Sequence, residues 1–208
     1  MITRRQTLAL TSAALMAAPL PLMARAKSDN PMPDALRRAL ERDPAAPVLG
    51  NPKGDITLTE FFDYNCHFCR KMVPVIKQMI GADSNLRVVF REWPVFGEGS
   101  YFAAQAALAA LDQGKYWQMH SGLMGLKSRA TEATVMRVAR QAGLDTDRLR
   151  ADMERPRVSE HIEGSMELAD HMGLVGTPSF IAGDEALFGQ QSLKDLQGLV
   201  TRGRAVLG

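Results

Sequence analysis

Cysteine is almost absent from this chain of 208 residues: there are two, Cys66 and Cys69, two residues apart. So few exclude a disulfide framework, which uses several widely spaced cysteines, and a zinc ribbon, which needs a second Cys-x-x-Cys pair. Aromatics are scarce as well, at 6%, and neither sign of charge dominates, the formal net charge being +2. Nothing in that balance supplies the clustered basic face that nucleic-acid binding requires. Runs long enough to span a membrane are missing too: the apolar stretch from Leu8 to Leu22 is short and broken by Pro19 and Pro21. What is present is ordinary globular material, 46% hydrophobic and 23% charged, without internal repeats or low-complexity segments.

The first 26 residues read as an export signal rather than as fold. Arg4 and Arg5 make a basic start, the apolar stretch follows, and Ala24-Arg25-Ala26 closes it as an A-x-A cleavage site, with the cut expected after Ala26. Thr3-Arg4-Arg5-Gln6-Thr7-Leu8 resembles a twin-arginine signal, with Thr7 where an aromatic is usual. The signal carries three arginines and no acid. Removing it leaves 22 basic residues against 23 acidic ones, so part of the chain's basicity belongs to the signal. Export places the two cysteines in an oxidising compartment, the periplasm. A bridge between them closes a tiny loop and stabilises little through chain entropy, so its use is chemical.

Periodicity gives the order of elements. A short helix with Leu36, Ala39 and Leu40 lies between Pro33 and Pro44, and Val48-Leu49 make a small edge strand. Ile56 to Asp63 is rich in β-branched and aromatic residues and reads as a strand. Helical spacing follows from Cys69 to Ile80, and Leu86 to Glu92 is a second strand. Pro94 to Ser100 reads as a loop, and from Tyr101 to about Gly173 the pattern is helical. It is punctuated by Gly114, Gly143 and Pro156. Two short strands, 179–182 and 185–188, flank the hairpin dipeptide Gly183-Asp184. A last helix opens at Ser192 with Asp195 three residues on. The fold class expected is α/β: β-α-β and β-β-α halves with an inserted all-helical domain. The divisions are 27–46 for the N-terminal lead, 47–98 with 174–208 for the α/β domain, and 99–173 for the insertion.

Cys66 falls at a strand-to-helix junction, where unpaired backbone N–H groups and the positive end of the helix dipole face its sulfur. That favours the thiolate, the nucleophile of disulfide exchange. Glu60 lies on the preceding strand and is either an exposed strand residue or a buried acid. His67, between the cysteines, is either inert or a tuner of Cys66. Pro178 is either an ordinary turn residue or a cis-proline. His120, His161 and His171 read as structural or solvated, and the methionines as core filling. Asp63, Arg91 and Glu92 are expected near the site and receive no role. A Cu(I) site at the two thiolates is the non-enzymatic alternative.

The segment Glu60-Phe61-Phe62-Asp63-Tyr64-Asn65-Cys66-His67-Phe68-Cys69 resembles the active-site segment of the DsbA family within the thioredoxin superfamily. Pro74, five residues after Cys69, and Gly176-Thr177-Pro178-Ser179-Phe180 extend the likeness, which spans about Pro47 to Val200. The resemblance implies a thioredoxin fold and a redox pair of Cys66 and Cys69. It implies a buried proton-transfer acid at Glu60, and a cis-proline loop in which Thr177 and Pro178 face the sulfurs. It implies no cofactor and no metal. The partners implied are exported proteins with free thiols or disulfides, and a membrane redox partner that recycles the pair. His67-Phe68 departs from the Pro-His of the family's best-known oxidase, and Thr177 before the proline is commoner in isomerases and reductases. The leading expectation is a monomeric dithiol oxidase, with isomerase or reductase as the alternative. The glutathione-transferase branch with the same insertion lacks paired cysteines and fits badly.

Overall fold

A computed structural model describes residues 31–207. The expected export signal and its cleavage site lie outside the described residues. Among the described residues the order is α1 (Asp34–Glu41), β1 (Val48–Gly50), β2 (Ile56–Phe62), α2 (His67–Ala82) and β3 (Leu86–Glu92). The helical block follows: α3 (Glu98–Ala109), α4 (Tyr116–Met124), α5 (Glu132–Gln141), α6 (Thr146–Met153) and α7 (Pro156–His171). The chain ends with β4 (Ser179–Ala182), β5 (Glu185–Phe188) and α8 (Leu193–Leu207).

The five strands form one sheet in the order β1-β3-β2-β4-β5. β2 and β3 run parallel, joined through α2, and the other neighbours are antiparallel. Every residue of β2 and β3 is buried. Both faces of these strands are covered, so the polar Thr57, Thr59, Glu60, Arg87, Arg91 and Glu92 are buried along with the apolar residues between them. Helices α2 and α8 pack together on the strands, while α1 meets β2 and α7 meets β3. Helix α3, rich in alanine, is the axis against which α4, α5, α6 and α7 pack. The β4–β5 hairpin turns in two residues, with Gly183 at φ 60°. A side chain there would strike Gly203 Cα of α8 at 2.7 Å, so two glycines let helix and turn close together.

Two local expectations are corrected and one holds. The loop expected to run to Ser100 ends at Gly97, whose φ of 94° turns the chain into α3 at Glu98. Pro156, expected to punctuate the helical block, stands at the boundary between α6 and α7 as the first residue of α7, where its missing N–H costs nothing. Met166, expected as core filling, is 42% exposed.

Candidate active site

Parallel pairing of β2 with β3 brings the ends of both strands to one pole of the sheet, and the antiparallel β4 begins there. Three loops therefore meet: the β2–α2 turn with the cysteines, the β3–α3 loop, and the segment before β4.

Cys66 is the N-cap of α2, and the amide of Cys69 donates to its Sγ at 3.3 Å. Its thiol donates to the Thr177 carbonyl at 3.3 Å, across the cis Thr177–Pro178 peptide. Both cysteines are unbridged and buried. Hydrogen bonding from the Cys69 side chain lowers the Cys66 thiol most. Burial opposes it, and hydrogen bonds from the Cys69 and Phe68 amides help to lower it further, to about 6 from 9.0. Cys69 moves the other way. Burial, donation to Cys66 and the nearby Cys66 charge push it far above the ordinary thiol range. The site thus holds one sulfur as thiolate and its neighbour as thiol.

Glu60 is 3% exposed, in register between Phe90 of β3 and Phe180 of β4. Burial, then the charge of Cys66, raises its carboxyl from 4.5 to about 8. A group raised in the folded state keeps its proton while the unfolded chain loses it, so Glu60 reduces stability progressively between about pH 4.5 and pH 8. In the oxidised protein Glu60→Gln is expected to leave stability at pH 4 unchanged and raise it at pH 8. The gain is on the order of 4 kcal/mol at most, and urea midpoints at the two pH values check it. An equal change at both would refute the buried acid.

His67 is exposed, with its ring edge-on to Phe68 at 5.8 Å. Phe68 is itself 51% exposed. Val95, Phe96, Val175 and Phe188, from the β3–α3 loop, the pre-β4 segment and the end of β5, are exposed too. Of the three residues left without a role, Asp63 belongs to this pole, its carbonyl accepting from the Cys66 amide at 3.1 Å. Arg91 and Glu92 instead make their hydrogen bonds with Asp43, α1, α4 and α7. Sequence reasoning missed Asn65 and Arg70. Asn65 bridges Ser100 and Ala130; Arg70 donates to the carbonyls of Tyr64, Leu126 and Ser128. The signal available for the first was Asp63-Tyr64-Asn65, an Asx-turn sequence, in which Asp63 Oδ1 accepts from the Asn65 amide at 2.6 Å.

Among the described residues no helix is long and apolar enough to cross a membrane. Residues 57–201 match the family model of the DSBA-like thioredoxin domain. A thioredoxin-like oxidoreductase from Silicibacter pomeroyi DSS-3 is 52% identical in a superposition of TM-score 0.79, covering 81% of this chain and 97% of that one. The thiol-disulfide exchange protein alpha-DsbA2 from Wolbachia pipientis superposes with TM-score 0.75 at 27% identity, covering 80% of this chain and 91% of its own. Among curated proteins, the Na(+)/H(+) antiporter NhaA 1 of Salinispora arenicola is 30% identical over 156 residues, which are 74% of this chain and 24% of the antiporter. This chain spans about a quarter of the length of the curated relatives it matches.

Proposed function

Since this chain belongs to the family of DSBA-like thioredoxin domain proteins, which are thiol–disulfide oxidoreductases, we propose that it is a monomeric dithiol oxidase of exported proteins. It works in the periplasm and is recycled by a membrane redox partner. The observation that carries the direction is the opposed acidity of the two sulfurs. Holding Cys66 at about 6 rather than 9.0 favours its thiolate by about 4 kcal/mol at most. At pH 7, where an ordinary thiol is nearly all protonated, that stabilises the reduced protein by about 1.4 kcal/mol and raises the potential of the pair by roughly 30 mV, which makes the disulfide a better oxidant.

The reaction follows from these positions. A substrate thiolate attacks Cys66 Sγ, the Cys66–Cys69 bond breaks, and Cys69 leaves with the electron pair. Cys69 is the sulfur that cannot stay ionised, so it takes a proton, and Glu60, holding one up to about pH 8, is the donor. A second substrate thiolate then attacks the substrate sulfur of the mixed disulfide and expels Cys66, which departs readily as the stabilised thiolate. The substrate leaves oxidised by two electrons and the protein carries them as a dithiol. Thr177 offers backbone to a substrate strand while the Pro178 ring covers the sulfurs. His67, when protonated, adds positive charge beside Cys66.

The test is to trap the thiols with an alkylating agent in living cells. Cys66 and Cys69 are expected mainly as the disulfide, and the purified oxidised protein is expected to oxidise a reduced unfolded polypeptide. A mainly dithiol population would reassign the chain to isomerase or reductase work. Binding of one Cu(I) without any thiol exchange would reassign it to a metal-carrying role.

A further inference from the structure

A cleft of about 870 Å³ lies between α1 and α7, with no residue of the cysteine pole in its lining. Both helices cover the Phe61 face of the sheet, through Leu40 and Ala169, whereas α2 and the cysteines lie on the Phe62 face. Asp43, Arg91 and His161 line the cleft and are already paired with one another. The other charged groups on its two walls are not paired, and they differ in sign. Arg38 and Arg42 stand exposed on the α1 side, Glu160 and Glu167 on the α7 side. Among the described residues none of these four makes a side-chain hydrogen bond or a direct ion pair. Arg157 stands near one end but is held by Asp112 at 2.5 Å, so it leaves that balance unchanged.

Between the two glutamates α7 carries Gly164, in the middle of a 16-residue helix, where glycine is the poorest former after proline. A Cβ there would meet nothing within 4 Å, so packing inside the chain does not call for a glycine. What its missing side chain provides is room for another backbone to lie against α7.

Dimensions decide the kind of occupant. The cleft follows α7 from Arg157 to His171, a rise of about 21 Å. Spread over that length, its volume gives a cross-section of about 40 Å². An extended chain needs about 48 Å², from the spacings of strands and of stacked sheets. A helix of 10 Å diameter needs about 80 Å². An extended chain also points alternate side chains to opposite sides, which suits two walls of opposite charge. Arg38 and Arg42 are one turn apart, about 6 Å, close to the roughly 6.6 Å between same-side residues of an extended chain.

We propose that the α1–α7 cleft binds an extended segment of another polypeptide with alternating charge. Its acidic side chains face Arg38 and Arg42, and its basic ones face Glu160 and Glu167. The chain ahead of α1 joins that helix at the end away from Arg42, where the Met32 amide donates to Asp184 at 2.9 Å. The inference does not depend on the exchange chemistry.

The probe is the blocked, fluorophore-labelled hexapeptide Glu-Lys-Glu-Lys-Glu-Lys, titrated into the oxidised chain beginning at Lys27 at low ionic strength and followed by anisotropy. Saturable binding of one peptide per chain is expected. The block peptide Glu-Glu-Glu-Lys-Lys-Lys, of equal composition, should bind about tenfold more weakly. Gly164→Leu is expected to weaken binding of the alternating peptide at least tenfold while its thermal midpoint stays at or above that of the wild type. Arg38→Glu with Arg42→Glu should also cost about tenfold. Adding Glu160→Lys and Glu167→Lys should restore binding, because the peptide turned over then presents its lysines to α1. No saturation below about 1 mM, equal binding of the block peptide, or wild-type binding by Gly164→Leu would overturn the proposal. If Gly164→Leu lowers the midpoint, the charge-reversed pair decides alone, and undiminished binding there overturns it. A wild-type protein that is a dimer by sedimentation, and that Gly164→Leu splits, would give the cleft to a second copy of this chain and overturn it as well.

Discussion

Replacing Cys69 by Ala is expected to leave the protein covalently bound to client proteins through Cys66, whereas Cys66→Ala should capture none and abolish exchange. The asymmetry follows from the two acidities. At pH 7 a thiol held at about 6 is roughly nine-tenths ionised, against about one-hundredth for a thiol at 9. A low pKa also weakens a thiolate as nucleophile, by roughly 10- to 30-fold over three units, which offsets much of that gain in attack. As a leaving group, by contrast, Cys66 gains from every unit. Its environment therefore speeds its release from a mixed disulfide with substrate more than its capture of one, which is the balance an oxidase needs. In Cys69→Ala the Cys66 thiolate attacks a client disulfide and expels one client thiolate, and the resulting mixed disulfide has no internal resolving thiol and persists until another thiol arrives. The variant also loses the Cys69 hydrogen bond, the largest cause lowering Cys66, so its Cys66 should titrate above the wild-type value. Non-reducing gels of periplasmic extracts read the trapping, and iodoacetamide rates against pH read the acidity. The wild-type rate profile should bend near pH 6. Trapping through Cys69, or a wild-type bend near 9, would reverse the assignment of nucleophile and resolver.

How much of this was legible in the sequence depended on how local the signal was. The α/β fold was readable because the β-branched runs of β2 and β3, the strand-to-helix junction at Cys66 and the Gly183-Asp184 turn each declare themselves within ten residues. Prolines were harder, because the same residue that stops one helix starts another. Pro156 marked the boundary between α6 and α7 correctly but not on which side of it the residue would lie, and its fixed φ suits the first turn of α7. The burial of Glu60 could not be decided from alternation, since helices cover both faces of β2, and only the family likeness favoured it. The hydrogen bonds of the Asp63 carboxylate were out of reach for another reason: its partners are 33 and 37 residues away at Phe96 and Ser100, and Asn65 meets Ala130 across 65. Arg91 and Glu92 stood near the cysteines in the sequence reading, yet their side chains serve a second buried network on the α1 and α7 side.

That network supplies the other large effect. His161, 1% exposed, presents Nδ1 to Asp43 Oδ2 at 3.0 Å and Nε2 to Glu92 Oε2 at 2.8 Å. Two carboxylate oxygens accept only, so both ring nitrogens must carry protons and the imidazole must be charged. Arg91, also 1% exposed, donates to Asp43 at 2.6 Å, to the Leu40 carbonyl at 3.0 and 3.1 Å, and to the Ala39 carbonyl, tying α1 to β3. The Tyr116 hydroxyl completes Glu92 at 2.8 Å. Two cations and two anions balance only while His161 holds its second proton. Burial works against that charge, but the hydrogen bonds to Asp43 and Glu92 outweigh it and raise the imidazole above its ordinary 6.5. For Asp43, burial is outweighed by His161, the Ala45 amide and Arg91, which hold the carboxyl well below 3.8. A raised imidazole stabilises the fold fully below about pH 6.5, and that stability fades as pH climbs through its folded value. A depressed carboxyl stabilises above its unfolded value and fades on acidification. The network therefore contributes most between roughly pH 4 and pH 6.5. His161→Gln is expected to cost about 3 kcal/mol in that window, because it leaves buried carboxylates underpaired. For a chain of this size that lowers the thermal midpoint by roughly 6–12 °C. Measured on the oxidised protein, where neither cysteine titrates and Glu60 contributes equally to both proteins, the gap between wild type and variant should narrow steadily above pH 6.5. A gap that stays constant from pH 5 to pH 8.5, or an NMR titration placing His161 at or below 6.5, would show that the imidazole is held neutral and that this cluster is an ordinary packed one.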